Sequence, residues 1–269
     1  MASGGTIRVG IGGWVFEPWR DNFYPAGLAQ KRELDYASRH VTAIEINGTY
    51  YGSQKPESFA RWHDETPDDF VFTLKGPRFT TNRRVLGEAG ASIERFVKSG
   101  IVELKRKLGP INWQFLPTKS FDPADFEAFL KLLPKRIDGH DLRHAVEVRH
   151  PSFRVSEFVA LLRAYEVAVV VADSDAHPQI ADVTAPFVYA RLQNASEQHA
   201  KGYAPADLGR WADRARRWAE GGSPDDLERV GPPHEGKAKR DVFLFMINGF
   251  KPKAPAAAMA LIEILGDNP

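Results

Sequence analysis

Ala145–His150 reads Ala-Val-Glu-Val-Arg-His, a short apolar run that ends in charge. If this run is a β-strand, side chains alternate between its two faces, so that Glu147 and Arg149 lie together, opposite Val146 and Val148. Burying a carboxylate and a guanidinium is costly unless the two groups pair or face a wet cavity. The fold should therefore bring the end of this strand close to water or to partners of opposite charge.

Other runs of the same kind recur along the chain and alternate with segments of helical period. We predict eight strands, over Arg8–Gly13, Ala43–Gly48, Phe70–Lys75, Ile111–Pro117, His144–His150, Ala168–Asp173, Phe187–Gln193 and Asp241–Asn248. We predict helices over Lys31–His40, Pro56–Glu65, Ser92–Leu108, Pro123–Leu133, Ser156–Tyr165, Pro205–Glu220 and Pro255–Leu265, with Gly109 as the stop signal after the longest.

This βα alternation predicts an α/β fold, a closed (β/α)₈ TIM barrel of parallel strands, because an open doubly wound sheet fits a chain of 269 residues less well. Ser174–Pro186 is too short for a full helix and two loops, so we expect one crossover helix to be missing between the sixth and seventh strands. We expect a single domain over residues 1–269. Gly221–Lys239, rich in Gly, Pro and charge, should be an insertion on the bottom face of the barrel.

The composition excludes several kinds of chemistry. The chain has 35 acidic and 36 basic residues and a net charge of +1, which argues against a surface that is generally basic. It contains no cysteine, which excludes disulfides, thiolate metal sites and cysteine nucleophiles. Met1–Thr6 has neither the basic nor the apolar part of a signal peptide, and no run is apolar enough to span a membrane. We therefore expect a cytoplasmic protein without membrane contact.

In a barrel of this kind, catalytic groups come from the carboxyl ends of the strands. The two-residue period places a set of polar side chains inward near that end, namely Glu45, Asn47, Thr73, Lys75, Asn112, Gln114, Glu147, Arg149, Asp173, Tyr189, Arg191, Gln193 and Asn248. We predict Glu45, Glu147 and Asp173 as catalytic residues. The predicted substrate-binding residues are Trp14, Asn47, Tyr50, Lys75, Arg78, Gln114, Arg149, His150, Arg191 and Asn248.

The loops at the same end of the barrel combine aromatic rings with arginines. They suit stacking on a sugar or base together with phosphate or carboxylate contacts, which favours binding roles for Lys75, Arg78 and Arg149. For Trp14, Trp19, Phe23 and Tyr24, the simpler interpretation is a lid of core residues over the barrel. Trp14 nevertheless stays among the substrate-binding candidates.

Several alternatives remain open at this point. One is that the charged residues only satisfy one another as a structural plug, although ion pairs so concentrated are a poor route to stability. A divalent cation such as Mg²⁺ is an alternative that we do not favour, and we predict no metal ligands. Glu45 and Glu147 would suit glycoside hydrolysis, but neighbouring cations would keep both ionised, which does not suit a proton donor. The chain has no Gly-x-Ser-x-Gly elbow of a serine hydrolase.

The same residues resemble those of a known family, the YecE-like family or domain of unknown function 72. The matching segments run in order through nearly the whole chain: Gly12–Trp14, Trp19–Arg20, Phe23–Pro25, Ile44–Asn47, Tyr50–Tyr51, Phe72–Arg78, Gln114–Pro117, Glu147–His150, Ala172–Asp173, Tyr189–Leu192, and Tyr203 with Leu208 and Trp211. The resemblance implies a TIM barrel and brings no settled activity. The chain departs from the family pattern at Thr81-Asn82, where Thr-His is frequent, and at Ile247–Lys251, where paired asparagines are more usual.

We expect an enzyme, of a class such as a hydrolase or phosphodiesterase, that acts on a small anionic or phosphorylated, sugar-like molecule. Glu147 or Glu45 would act as the general base, while Lys75, Arg78, Arg149 and Arg191 would neutralise the anion. The alternative is a nucleic-acid-binding protein or phosphodiesterase that resembles abasic-site endonucleases, with Arg78, Arg83 and Arg84 on phosphates. A third alternative is a non-catalytic ligand-binding module. The oligomeric state does not follow from the sequence.

Overall fold

The structure, a computed structural model, describes residues 5–234 and 236–266. The ends of the domain predicted over residues 1–269 therefore lie outside the described residues. Within these ranges, eight parallel strands close into a barrel in sequence order, so that the first strand pairs with both the second and the last. The predicted closed, parallel α/β barrel is thus confirmed.

The barrel strands agree with the eight predicted runs to within a few residues. They are β1 (Ile7–Gly12), β2 (Ala43–Ile46), β3 (Val71–Lys75), β4 (Leu108–Gln114), β5 (His144–Glu147), β6 (Ala168–Asp173), β7 (Phe187–Leu192) and β8 (Asp241–Met246). A short hairpin, Arg136–Ile137 with His140–Asp141, lies outside the barrel just before β5.

Helices occupy most of the crossovers between strands. They are α1 (Glu33–Ser38), α2 (Pro56–Asp64), α3 (Gly90–Val97), α4 (Pro123–Leu132), α5 (Ser156–Tyr165), α6 (Pro205–Ala219) and α7 (Ala254–Gly266). One-turn helices at Gly48–Tyr51 and Arg78–Thr81 follow β2 and β3 directly. Short 3₁₀ turns lie at Glu17–Asp21, Gln30–Arg32, Leu86–Glu88, Pro151–Phe153 and Lys251–Lys253. Residues 174–186, between β6 and β7, contain no helix, as predicted.

The single long helix predicted over Ser92–Leu108 is wrong. The segment consists of α3, a break, and short 3₁₀ turns within Ile101–Lys107, which are interrupted at Lys105 by a non-helical backbone with φ +50°. Gly100, between α3 and the first 3₁₀ turn, adopts a left-handed conformation at φ +98°, which breaks the helical path and which residues with a Cβ adopt only under strain. Gly109, predicted as the stop signal, lies inside β4 instead.

Two apolar cores, one inside and one outside the barrel wall, determine where polar side chains can lie. The inner core packs Ala43, Ala145, Val170 and Tyr189 with the rings of β8, and the Tyr189 and Phe245 ring centroids are 5.2 Å apart. The outer core lies between the strands and the helices and is larger. Since aromatic rings fill the barrel interior up to the level of Tyr189, the polar inward residues collect above them, at the carboxyl end.

The predicted inward faces are right for β2, β3, β4, β5 and β7 but wrong for β6 and β8. On β6 the inner core contains Ala168 and Val170, and on β8 it contains Phe243 and Phe245. Val169, Val171, Leu244 and Met246 instead pack in the outer core. Asp173 and Asn248, which follow these residues with the two-residue period, therefore do not point into the barrel.

Candidate functional site

The centre of the barrel mouth is a buried ion network built around Arg191 of β7. Its Nη2 donates to Oε1 of Glu45 at 3.0 Å, and its Nη1 donates to Oε2 of Glu147. The side chains of Arg191, Glu45 and Glu147 are 2%, 0% and 1% exposed. The predicted convergence of β2, β5 and β7 is therefore real, and one guanidinium bridges two carboxylates that water does not reach.

Arg149 extends this network toward the surface. Its Nε and Nη2 donate to Oε1 of Glu147 at 2.9 and 2.6 Å, a two-point contact with one oxygen. Burial alone would raise the pKa of Glu147, but the positive charges of Arg191, Arg149 and Lys75 together lower it to about 2. Glu147 is thus a fixed anion at neutral pH. Arg149, 16% exposed, is the part of the network that water and ligands can reach.

Asn112, Tyr189 and Thr73 complete the surroundings of Glu45. The Tyr189 hydroxyl donates to Oε2 of Glu45 at 2.6 Å and lies 2.9 Å from the Thr73 hydroxyl, while Nδ2 of Asn112 donates weakly to both Glu45 and Glu147 at 3.4 Å. Burial and the neighbouring Glu45 raise the pKa of Tyr189. None of the three was predicted as a site residue. All three were predicted to point into the barrel, and this could have identified them.

Lys75 stands beside the network without an ion pair among the described residues. Its Nζ donates to Oε1 of Gln114 at 2.6 Å and lies 4.4 Å from the centroid of the Tyr50 ring. Burial first, and then the positive charge of Arg191, lowers the pKa of Lys75 to about 8. The structure therefore brings together the predicted residues Lys75, Gln114 and Tyr50, and it makes Lys75 a cation that releases its proton near neutral pH.

Two further groups stand near this cluster. Arg78, exposed on the rim after β3, lies over the ring of Tyr51 with its guanidinium carbon 5.8 Å from the centroid. His177, in the loop after β6, was not predicted as a site residue, and burial followed by the positive charge of Arg149 lowers its pKa. Its position directly after a barrel strand was the available signal.

Asp173 does not join the central network, so its predicted inward direction is wrong. Its carboxylate accepts hydrogen bonds from the Tyr203 hydroxyl at 3.1 Å and from Nδ2 of Asn194 at 3.2 Å. Burial raises the pKa of Asp173, opposed by the Tyr203 hydrogen bond. The reason is that Asp173 lies on the outward face of β6 and is directed toward α6. There it lines a separate cavity of about 280 Å³ together with Arg214.

The other predicted binding residues lie around the mouth in mainly structural surroundings. Trp14 packs edge-on against Trp62, with centroids 5.2 Å apart, as expected of a lid residue. Nδ1 of His150 accepts from the Ser152 amide at 3.2 Å and caps a 3₁₀ turn. Asn47, half-buried, precedes the one-turn helix after β2. Asn248 is exposed and donates to Oε1 of Gln193 at 3.3 Å.

Neither a metal cluster nor a membrane helix is found in the described part of the chain. Residues 5–234 and 236–266 hold no group of three or more His, Asp or Glu side chains arranged to bind a metal ion. None of the helices in these ranges is long and apolar enough to cross a membrane.

Sequence comparison finds relatives of this chain among known proteins. Over 150 residues it is 31% identical to the UPF0759 protein YecE of Escherichia coli (strain K12), a match that covers 55% of this chain and 50% of YecE. UPF0759 protein YunF of Bacillus subtilis (strain 168) is 30% identical over 69 residues, which cover 26% of this chain and 23% of YunF. The chain thus matches about half the length of YecE and less of YunF.

Solved structures extend the likeness over nearly the whole fold. The crystal structure of a DUF72 family protein from Thermotoga maritima MSB8 has a TM-score of 0.75 and 22% identity and covers 97% of this chain and 100% of that chain. A DUF72 family protein from Enterococcus faecalis V583 has a TM-score of 0.71 and 18% identity and covers 97% of this chain and 96% of that chain. The family profile described as "Protein of unknown function DUF72" matches residues 8–269. The chain therefore belongs to the DUF72 family, whose YecE-like members are its relatives.

Proposed function

We propose that this DUF72 barrel is an enzyme that binds a small anionic, sugar-like molecule at its mouth. The observation that carries the proposal is the charge of the central cluster. Lys75, Arg149 and Arg191 face Glu45 and Glu147, which leaves one positive charge in excess in a largely buried site. Lys75 is the group left over, because its partner Gln114 is neutral. A bound anion would balance that charge and satisfy Arg149 at the surface.

The same cluster supports an assignment of roles. A carboxylate with a pKa of about 2 is a weak base at neutral pH, so we assign Glu147, with Glu45, the task of positioning Arg191 and Arg149. Lys75, with a pKa of about 8, exists in both protonation states near neutral pH and is our choice for the general acid or base. Asn112 and Gln114 would orient hydroxyl groups of the ligand. This reassigns the base from a glutamate to Lys75.

Calorimetric titration with sugar acids and sugar phosphates tests the proposal. We expect at least one of these anions to bind, and Arg149→Gln and Lys75→Met each to weaken it about tenfold or more. Arg136→Gln, on the exposed hairpin before β5, is the matched control and should leave the affinity within about twofold. The proposal fails if no anion of either class binds, or if both mouth variants bind as the wild type does.

Turnover of the bound ligand, followed by NMR, tests the catalytic part. Lys75→Met should abolish turnover at saturating ligand, whereas Arg149→Gln should mainly raise KM. A bound anion that the wild type leaves unchanged would favour the non-catalytic binding module. Strongly salt-dependent binding of oligonucleotides in place of small anions would favour the nucleic-acid alternative.

A further inference from the structure

A second cavity with excess cationic groups lies beside the mouth, between the loops that follow β3 and β4. Its volume is about 390 Å³, and Arg83, Arg84 and Lys119 line it. Thr81 also lines it and donates to the backbone oxygen of Gln114 at 2.6 Å. Because the side chain of Gln114 belongs to the central cluster, the cavity adjoins the mouth but is a separate space.

The two acidic residues of this cavity are already engaged in the fold. Oδ1 of Asp122 accepts the amides of Ala124 and Asp125 at 3.1 Å and caps α4. Asp125 accepts the Leu86 amide at 2.7 Å and the Lys119 ammonium at 3.0 Å. The charge of Lys119 is therefore balanced by Asp125, and among the described residues neither carboxylate forms an ion pair with Arg83 or Arg84.

Arg83 and Arg84 are the cations without a counterion. Across residues 5–234 and 236–266, neither forms an ion pair with Asp or Glu. Nε of Arg83 is buried and has no hydrogen-bond partner among these residues. The guanidinium of Arg83, which lines the cavity, is thus a half-buried charge without a counterion, and an anion in the cavity would balance it.

The backbone that carries these arginines is held in place from across the cavity. Nζ of Lys119 donates to the carbonyl oxygens of Arg84 at 2.7 Å and Arg83 at 3.5 Å. A lysine that satisfies both carbonyls and Asp125 fixes the loop after β3 to the loop after β4. The backbone of Arg83 and Arg84 is thus fixed before an anion binds, which lowers the entropic cost of binding.

We propose that this cavity binds the phosphate group of a small phosphomonoester. Two guanidinium groups, the hydroxyls of Thr118 and Ser120 and the amide of Asn82 line it, and these supply more donors than the two oxygens of a carboxylate can accept. Phosphate has three acceptor oxygens and matches the fork of an arginine. The volume also admits the carbon skeleton that carries the phosphate. This site goes beyond the proposed function and does not depend on it.

Titration in an Arg149→Gln background tests the site, because that background weakens the anion site of the mouth. The probes are inorganic phosphate and ribose 5-phosphate. We expect Arg149→Gln to bind both, and the double variant Arg83→Gln/Arg149→Gln to bind them about tenfold or more weakly. Arg84→Gln, exposed on the same wall, provides a second variant, and Arg136→Gln controls for a general loss of charge.

The outcomes separate this proposal from the one for the mouth. Loss of all phosphate binding in Arg149→Gln alone would overturn the site, as would binding that survives both Arg83→Gln and Arg84→Gln. A single-stranded 12-nucleotide DNA that binds more tightly than ribose 5-phosphate, and that Arg83→Gln abolishes, would overturn it in favour of a nucleic-acid contact. Thermal unfolding without phosphate shows whether each variant is folded.

Discussion

Arg191 is held at the centre of the mouth by two carboxylates, of which Glu147 also pairs with Arg149. Glu45 and Glu147 are both buried, and each has one oxygen on this guanidinium. The attraction of the carboxylates raises the pKa of Arg191 despite the opposing effect of its burial. Such a network is not by itself a gain in stability, because desolvation offsets most of the attraction. Breaking it, however, leaves uncompensated charge.

Arg191→Met should therefore lower the free energy of unfolding by about 3–5 kcal/mol, because two buried carboxylates lose their shared partner. Urea unfolding monitored by fluorescence measures the change. Arg136→Met, which removes an exposed arginine 3.5 Å from Asp141, should stay within about 0.5 kcal/mol. The triple variant Glu45→Gln/Glu147→Gln/Arg191→Met should recover much of the loss. A cost below about 1 kcal/mol for Arg191→Met would show that the network adapts freely.

Because the pKa of Lys75 is lowered in the folded protein, we expect the free energy of unfolding to rise with pH. A lysine whose pKa is raised by an ion pair would have the opposite effect. Its pKa is about 8 in the folded protein and 10.5 ordinarily, so the unfolded chain binds more protons between these values. The cost of the buried charge is fully present below pH 8 and is relieved as pH rises from 8 toward 10.5. Wild type should gain up to about 3 kcal/mol relative to Lys75→Met over that window.

Unfolding titrations at pH 7 and pH 10 measure this difference, with Lys98→Met, on the exposed end of α3, as the control. Lys98 is paired with Glu94 and should show no such gain, because the pairing raises its pKa. Affinity for a mouth anion should fall over the same window in which Lys75 loses its proton. If the difference in free energy of unfolding between wild type and Lys75→Met is the same at pH 7 and pH 10, the Lys75 side chain is well solvated.

At the scale of the strands, the alternation of side chains predicts which face points into the barrel only where the two faces differ chemically. In β5, Glu147 contrasts with the apolar Val146, so the inward face could be read from the sequence. β6 reads Ala-Val-Val-Val-Ala-Asp, and in a parallel barrel both faces of a strand are covered. The alternation in β6 therefore does not show which face points inward. The prediction relied on Asp173 alone and assigned the wrong face. The same holds for β8, Val242–Met246, where both faces are apolar.

The break in the helix predicted after β3 rests on one glycine. Gly100 has φ +98°, and a Cβ there would lie 2.7 Å from Pro56 at the start of α2. The turn is therefore defined by packing against α2, which lies far away in the sequence. Helical period alone could not reveal it, because Ile101 and Leu104 continue a helical spacing while belonging to a 3₁₀ stretch.

Gly100→Ala should lower the free energy of unfolding by about 1–3 kcal/mol, since it combines a left-handed conformation with a steric clash. Gly209→Ala, inside α6, is the matched control. Nothing lies within 4 Å of a Cβ added at Gly209, and alanine should stabilise the helix by about 0.5–1 kcal/mol. Thermal unfolding of both variants gives the comparison. Equal effects of the two substitutions would mean that Gly100 relaxes into an ordinary helix.

For the molecule as a whole, the chemistry of the barrel mouth could be foreseen better than the contacts within it. The count of polar strand ends placed a charged mouth at the carboxyl end, and Glu45, Lys75, Glu147 and Arg191 do meet there. The ion pairs themselves could not be predicted from the sequence, because which oxygen faces which nitrogen depends on the register between strands. The unpaired state of Arg83 likewise depends on Asp122 and Asp125 being engaged elsewhere.

The two ends should also be energetically independent, because the aromatic inner core separates them. At the bottom, Arg143 pairs with Asp241 at 3.0 Å and lies 5.0 Å from the Phe243 ring centroid. Arg143→Met should lower the free energy of unfolding by about 1 kcal/mol and leave mouth affinity unchanged, while Arg149→Gln should weaken mouth affinity about tenfold. In the double variant both effects should add within about 0.5 kcal/mol. Unfolding and anion titrations of the four proteins measure this, and a coupling above about 1 kcal/mol would mean that the barrel transmits strain from one end to the other.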